Sequence, residues 1–451
     1  MQGCYLTALA LPLLIAVGCN KYLDAKPDQK LATPSTLSDL QALMDGKSMT
    51  NNYPVAGDIA SDDYYLLDAD YQALSTPDFR NDYIYQGSGA NDQDYQYMYG
   101  FILNSNVVLD QLGKINLASS SPADINNVKG QAYFFRAYCH FHTASVFALP
   151  FIGNTAKEGV PLKLTADITS PTSRSTIGED YSQVISDLKN AAALLPSTAI
   201  VKTRPTKQAA FGVLSRVYLC MGDFVNASNY ADSCLQIYNT LIDYNTVSTT
   251  SNTPFPLFNA EVIFHSTSSG RGSVVTVTKA RIDSVLYGSY AANDLRKKVF
   301  FKASTNGSQL FKGDYAAATS SSLFGGVATD EMYLTRAECY ARNNNIAAAV
   351  NDMNTLLVTR WVKNTYVPLT TNVSAGDLLN TILTERRKQL LFRNELRWND
   401  IRRLNAEKTF AKTLVRKLSS GTYSLGPGSL LFAYLLPVSV VQMTGISQNP
   451  R

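Results

Sequence analysis

Two stretches of this chain, Thr206 to Tyr238 and Asp330 to Arg360, can be laid over one another as helical hairpins, and no other feature limits the fold so strongly. The first is broken at Gly222-Asp223 and the second at Asn344-Asn345. With Gly222 set over Asn344, Tyr218 falls over Tyr340, Ala227 over Ala349, Ala231 over Met353 and Cys234 over Leu356. Small or aromatic residues at such points let paired helices approach closely, as in tetratricopeptide hairpins. Helix signals continue elsewhere. Thr33-Pro34 reads as an N-cap followed by proline at the first helical position, ahead of Leu37, Leu40, Leu43 and Met44. Pro122 to Leu149 reads as a long aromatic helix with Phe134, Phe135, Tyr138 and Phe141. Thr176 and Glu179 form a capping box, and Tyr181, Val184, Ile185, Leu188, Ala192 and Leu195 trace one apolar face that Pro196 ends.

The hairpins do not belong to a simple array. Ala227 and Ala349 lie 122 residues apart, against a repeat period of about 34. The intervening Leu241 to Thr329 is rich in Ser, Thr, Gly and Asn, with short strand-like pieces at Val262-Ile263-Phe264 and Val274 to Val277. Asp58 to Gly89 and Thr409 to the end, with the turn Gly426-Pro427-Gly428, are also irregular. The fold expected is therefore mainly α: tetratricopeptide-like hairpins carrying a large, loop-rich, mixed α/β insertion. The helical scaffold would cover about 33–240 and 330–405, and the irregular ligand-side insertion about 241–329. The 451 residues then form one composite domain, 19–451, rather than the three that length alone suggests.

Charge excludes some partners. Forty Lys and Arg against 36 Asp and Glu leave +4, too little to argue for nucleic acid or an anionic membrane surface. Met1 to Gly18 holds no charged residue, and the apolar run Leu6 to Val17 is too short to span a bilayer but suits a signal-peptide core. Ala16-Val17-Gly18-Cys19 resembles the lipobox of bacterial lipoproteins. Residues 1–18 are thus expected to leave as a signal peptide and Cys19 to carry lipid, the only membrane attachment. Cys139, Cys220, Cys234 and Cys339 sit among apolar neighbours and read as buried thiols, and no CxxC pair occurs.

Ordered motifs along nearly the whole chain resemble the SusD/RagB family. Tyr22-Leu23-Asp24, Pro27 and Thr33-Pro34 open it; Gly159-Val160-Pro161-Leu162, Arg174-Ser175-Thr176-Ile177, Asp187-Leu188 to Leu195-Pro196, and Leu214-Ser215-Arg216-Val217-Tyr218-Leu219 to Gly222-Asp223 follow. Glu385-Arg386-Arg387-Lys388, Arg397-Trp398-Asn399-Asp400, Arg402-Arg403, Leu436-Pro437-Val438 and Gln448-Asn449-Pro450 close it. The chain departs from the pattern at Gln389 and Arg393, where glutamates are usual, at Asn394-Glu395, which replaces a glycine, and at Ser439. The resemblance implies a surface-exposed outer-membrane lipoprotein, without catalytic activity. It would bind glycan or sometimes peptide oligomers and deliver them to a SusC-like TonB-dependent transporter. A tetratricopeptide scaffold that binds only protein partners is the alternative.

The chemistry agrees in being sparse. His140 and His142 are two apart and point to different faces of a helix, so they do not read as one metal site. No HExxH, GxSxG or P-loop pattern occurs, so neither an enzyme nor a cofactor is expected. Asp62-Asp63 and Asp68-Ala69-Asp70 lack the calcium-loop order and read as solvated acids. Within the late motifs, Glu385–Lys388, Arg397–Asp400 and Asp400–Arg403 are spaced to pair along a helix, and Trp398 reads as core. Sugar rings stack on flat aromatic faces beside polar groups, and with 26 Tyr against 2 Trp the platform would be tyrosine. Tyr83 and Tyr85, beside Asn81 and Asp82, are expected exposed and lead the ligand-binding candidates, with Tyr64, Tyr65, Tyr287, Tyr290 and Tyr315 behind them. Tyr181, Tyr218 and Tyr340 are assigned instead to hairpin packing.

Overall fold

The computed structural model describes residues 34–87, 92–268, 274–317 and 322–451. The leader 1–18, the lipidation candidate Cys19 and the opening motif residues Tyr22 to Thr33 lie outside the described residues. The described residues begin with α1 (Leu37–Met44), the short α2 (Ala56–Ala60), the two-residue strand β1 (Tyr64–Tyr65), α3 (Asp68–Gln72) and α4 (Pro77–Tyr83). Five long helices follow: α5 (Asp92–Gln111), α6 (Pro122–Phe147), α7 (Ile177–Leu194), α8 (Lys207–Met221) and α9 (Phe224–Ile237). The insertion holds β2 (Val262–Phe264), β3 (Arg281–Ile282), α10 (Ser284–Gly288), α11 (Arg296–Val299), β4 (Phe301–Ala303), β5 (Gln309–Phe311) and β6 (Val327–Ala328). Helices resume with α12 (Thr329–Arg342), α13 (Ile346–Leu357), α14 (Ala375–Gln389) and α15 (Leu396–Leu404), and the chain ends in the hairpin β7 (Leu414–Leu418) and β8 (Gly421–Leu425), then α16 (Val438–Thr444).

The long helices pack in series, α5 on α6, α6 on α7, α7 on α8 and α8 on α9. The next contact is α9 on α12, across the insertion, and α12 then packs on α13 and α14. The helical stack thus runs on as though the insertion were absent.

Both hairpin turns have the same geometry. Gly222 and Asn344 each take a left-handed backbone, with φ of 77° and 58°, a conformation open to glycine and tolerated by asparagine. The next residue caps the second helix in each case: the Asp223 carboxylate accepts the Asn226 N–H at 3.0 Å, and the Asn345 side chain accepts the Ala348 N–H at 3.3 Å. Ala227, Ala349, Ala231, Met353, Cys234 and Leu356 are all fully buried, so the overlaid positions are the helix contacts. Gly222→Ala is therefore expected to lower the unfolding free energy by about 1–2 kcal/mol, the penalty of a left-handed Cβ. Gly222→Asn should lose distinctly less. Urea unfolding of the two variants checks this, and equal losses would argue against the shared turn.

The capping box on α7 forms as expected. The cap on α1 does not. The N-cap is Thr36, whose side chain accepts the Asp39 N–H at 3.1 Å while the Asp39 carboxylate accepts the Thr36 N–H at 2.9 Å. That reciprocal pair satisfies two open donors and starts the helix at Leu37, three residues after Pro34.

A second apolar cluster, apart from the scaffold core, lies under the insertion and takes in Tyr64, Tyr83, Tyr244, Tyr290, Phe300, Phe301 and Tyr315. Its sheet has the order β1-β3-β5-β4, antiparallel throughout, so the irregular stretch after residue 58 supplies its edge strand. β2 pairs with β6 at the root of the insertion. Val274 to Val277 is not a strand, although Val274 and Val275 are buried in this cluster.

Candidate ligand surface

The leading tyrosine candidates do not lie on the surface. Tyr64, Tyr83 and Tyr85 surround the guanidinium of Arg416 from β7, with ring centroids 4.9, 4.3 and 5.7 Å from its central carbon. Arg416 also donates to the carbonyls of Ile59, Ser61, Tyr64 and Tyr83. The Tyr83 hydroxyl accepts the Leu66 N–H at 2.8 Å. Tyr83 is 1 % exposed and Tyr85 5 %, so the expectation that they lie exposed is corrected: a buried cation has drawn the rings inward. Asp82 is buried with them, and Asn81 is half-buried. Along β1 the side chains alternate, which buries Tyr64 and leaves Tyr65 38 % exposed. The inward place of Arg416 has a local sequence signal. Leu414 and Arg416 share one face of an alternating strand.

Tyr315 is also buried. Its hydroxyl donates to Glu261 at 2.6 Å and meets the Tyr244 hydroxyl at 2.9 Å, with Arg393 3.5 Å above its ring. Glu261 pairs with Arg360 at 2.6 Å, Arg393 with Asp330 at 3.0 Å, and Gln389 bridges Asp330 and Arg360 at 2.9 and 3.1 Å. Gln389 and Arg393, two of the departures from the family pattern, thus tie the insertion to α12. Tyr290 is buried and donates to the Lys388 carbonyl, while Tyr287 stays half-buried under Lys297 at 5.0 Å. Tyr65, Asn81 and Tyr287 are the sequence candidates that keep a face toward solvent.

Asp62 and Asp63 are not solvated acids. Arg397 holds Asp62 by two bonds of 2.7 and 3.0 Å, Lys412 reaches it at 2.6 Å, and Arg387 holds Asp63 at 3.0 Å. Burial opposes the charge on Asp62, but Arg397 and Arg387 keep its carboxyl well below the usual range. Arg397 therefore pairs with Asp62 rather than with Asp400, whereas Glu385–Lys388 and Asp400–Arg403 form at 2.7 and 2.9 Å. Trp398 is buried, and its indole N–H donates to the Ser145 carbonyl at 3.1 Å.

One buried group of acids is held in the opposite state. Asp58 accepts the Glu395 N–H at 3.0 Å and the Asn394 amide at 2.8 Å, and Glu395 meets His142 Nδ1 at 2.8 Å. Burial pushes Asp58 up to about 7, only partly offset by those two bonds. Glu395 is raised well above its ordinary value by burial and by Asp58, and burial depresses His142. The folded protein therefore keeps a proton on Asp58 that the unfolded chain gives up near pH 4. Stability from this group is present at acid pH and is lost as pH rises toward 7. Asp58→Asn is expected to remove that slope, so that wild type loses stability relative to the variant between about pH 4 and pH 7. Parallel urea midpoints across that window would count against it.

A concavity of about 570 Å³ is lined by Leu162, Ser173, Arg174, Ser175, Glu179, Ser182 and Gln183. It offers little free chemistry, because Arg174 is turned inward to the carbonyls of Gly159 and Ser447 and to Asn449 Oδ1 at 2.7 Å. A smaller pocket of about 180 Å³ opens between the loop that joins α7 to α8, the start of α8, the residue after α9 and strand β2. Its residues were not among the sequence candidates. Eight of its eleven lining residues lie on the contiguous stretch Ser197 to Gln208, and the fold adds Tyr238, Val262 and Ile263. No helix among the described residues is long and apolar enough to cross a membrane.

Residues 21–219 match the profile of a family described as starch-binding and associating with the outer membrane, and residues 329–421 match the profile of the SusD family. The chain belongs to the SusD family. SusD-like protein P2 of Formosa agariphila is 25 % identical, over 87 % of this chain and 89 % of the relative. A structure described as a putative sugar binding protein from Bacteroides vulgatus superposes with a TM-score of 0.77 at 21 % identity, covering 93 % of this chain and 99 % of the other. A SusD superfamily protein from Bacteroides thetaiotaomicron gives 0.75 at 22 % identity, over 92 % and 100 %. Surface glycan-binding protein A from Bacteroides uniformis gives 0.70 at 14 % identity, over 92 % and 99 %. These likenesses establish the fold. In this SusD-family chain the matched segments contain Arg174, Arg216, Arg387, Arg397 and Arg416, each engaged in ties within the protein. These arginines hold the fold together, and residues 220–328, which take in the insertion up to its last residue, lie outside both matches.

Proposed function

We propose that this protein is a lipid-anchored, non-catalytic binding protein on the cell exterior. It captures neutral glycan oligomers and delivers them to a SusC-like TonB-dependent transporter in the outer membrane. The observation that carries the reading is the family membership, with the SusD fold matched over more than nine-tenths of the chain. The descriptions of two structural neighbours as sugar-binding and surface glycan-binding support a glycan over a peptide. Near-neutral charge suits uncharged oligomers. The ligand surface is assigned to the exposed side of the insertion, with Tyr65 on the edge strand β1 and Tyr287 on α10 as stacking residues and Asn81 as a polar contact.

Two experiments test this. Affinity electrophoresis of the purified protein against a panel of neutral polysaccharides should show retardation that Tyr65→Ala and Tyr287→Ala reduce. Purification from native outer membranes should bring a β-barrel transporter with it. Retardation by no glycan together with capture of peptides would overturn the glycan reading, and an unlipidated protein in the cytoplasm would overturn the whole.

A further inference from the structure

Arg402, on α15, is 4 % exposed, and no carboxylate among the described residues lies within ion-pair distance of it. The acid on its own helix, Asp400, is taken up by Arg386 and Arg403. Glu395 is the acid whose charge would act on Arg402, but burial and Asp58 favour its protonated form. The guanidinium is met by carbonyls instead. Nη1 donates to those of Ser145 and Phe432, the latter at 3.0 Å, and Nη2 to that of Ala148 at 2.7 Å. A guanidinium has five N–H donors, so the Nε–H and one Nη2–H remain. Nε has no acceptor among the described residues and is not sealed from solvent. A buried cation without a counter-charge is unfavourable and calls for an anion.

Arg402 lines a pocket of about 150 Å³ between the turn after α6, the turn after α15 and the loop after β8. Leu149, Pro150, Ile152, Leu430 and Phe432 form its apolar walls, and no acidic residue among the described ones lines it. Asn154 spends its Nδ2 on the carbonyls of Pro150 and Ile152, at 2.9 and 3.3 Å. Asn405 is turned away, with Oδ1 accepting the Lys412 N–H at 2.8 Å and Nδ2 sealed from solvent. The Ser429 hydroxyl accepts the Leu431 N–H at 3.2 Å and keeps its own proton to donate. The pocket thus presents a cation, a hydroxyl and apolar walls. An ionised carboxylate is an acceptor only, and its bonds to a guanidinium are charge-assisted. A neutral sugar would leave the charge on Arg402 unanswered, and phosphate has no group to set against the apolar walls. A cavity of about 150 Å³ is enough to hold benzene, so the occupant is one small group rather than an oligomer.

We propose that this pocket is a second binding site, which takes a small monocarboxylate with its anionic end on Arg402 and its hydrocarbon part against Ile152, Leu430 and Phe432. It does not rest on the glycan reading of the insertion surface.

The test uses the purified full chain and isothermal titration calorimetry with benzoate, butyrate, benzamide as the neutral counterpart of benzoate, and inorganic phosphate. At least one of the two carboxylates should bind, and benzamide and phosphate should bind at least tenfold more weakly. Crystals soaked with that carboxylate should place one of its oxygens within hydrogen-bond reach of Arg402 Nε. Arg402→Gln should weaken binding at least tenfold. Because Arg402 also serves three carbonyls, a second variant guards against a loss of fold. Ala406→Trp fills the mouth from an exposed position and should abolish binding with no change in the melting temperature. Tyr65→Ala and Tyr287→Ala should leave this binding unchanged, which separates it from the insertion surface. Binding of neither carboxylate, benzamide bound as tightly as benzoate, or carboxylate binding indifferent to Ala406→Trp would each overturn the proposal.

Discussion

Arg416→Met is expected to lower the unfolding free energy by about 4 kcal/mol or more, the loss of several hydrogen bonds to buried carbonyls. Methionine keeps much of the volume, so the loss is polar rather than steric. The guanidinium serves the carbonyls of Ile59 at 3.1 Å and Tyr83 at 3.3 Å, and those of Ser61 and Tyr64. These acceptors come from the end of α2 and the turn after it, from β1 and from α4, segments more than 330 residues away in the chain. Each carbonyl left without a donor is unfavourable by about 1–3 kcal/mol. The faces of Tyr64, Tyr83 and Tyr85 lose a desolvated cation as well, worth about 2 kcal/mol in such settings. Urea unfolding reads the loss directly. Tyr83→Phe isolates one strand of the same knot, since it removes only the acceptor of the Leu66 N–H and should lose about 1–2 kcal/mol. Wild-type stability in Arg416→Met would show that the cage is incidental. The expected result also means that Tyr83→Ala would unsettle the fold before it could report on ligand binding.

What the sequence disclosed depended on the range of the interaction that decides each feature. The hairpin overlay was legible because its signals are local: a left-handed turn residue at Gly222 or Asn344, a capping side chain one residue later, and small residues where the helices touch. The Thr176 capping box was legible for the same reason. The exposure of the tyrosines was not. Tyr64-Tyr65 and Asn81 to Tyr85 have turn-like composition, and the residue that buries them, Arg416, lies far off in sequence. The pairing of Asp62 and Asp63 is hidden on the same account, because Arg387, Arg397 and Lys412 reach them from the other end of the chain. Gln389 and Arg393 stood out as departures from a pattern, but only the fold shows that they pack against Asp330 and Tyr315.

Glu338→Gln is the second substitution with a large expected effect, about 3–5 kcal/mol of stability, the loss seen when one partner of a buried ion pair is removed. Glu338 is fully buried on α12 and receives Arg403 from α15 through two bonds of 2.6 and 2.8 Å. Arg342 adds a bond of 2.9 Å to Glu338, and Asp400 joins Arg403 at 2.9 Å and Arg386 at 2.8 Å. The network locks the second hairpin to α14 and α15. Burial works against the charge on Glu338, but Arg403, Arg342 and Arg386 outweigh it and hold the carboxyl below its ordinary value. Its stabilising effect is therefore present above about pH 4.5 and is lost as pH falls. The glutamine variant takes up no proton there, so its acid limb should be flatter than that of wild type. Adding Arg403→Met to a Glu338→Leu background should restore part of the stability, because an apolar pair of similar volume can replace a buried ion pair with little loss, whereas a lone buried guanidinium cannot be relieved. A double-mutant cycle on urea midpoints measures the coupling. Additive losses would show that the two side chains are held by separate partners, and that the tie between the hairpin and α15 is carried elsewhere.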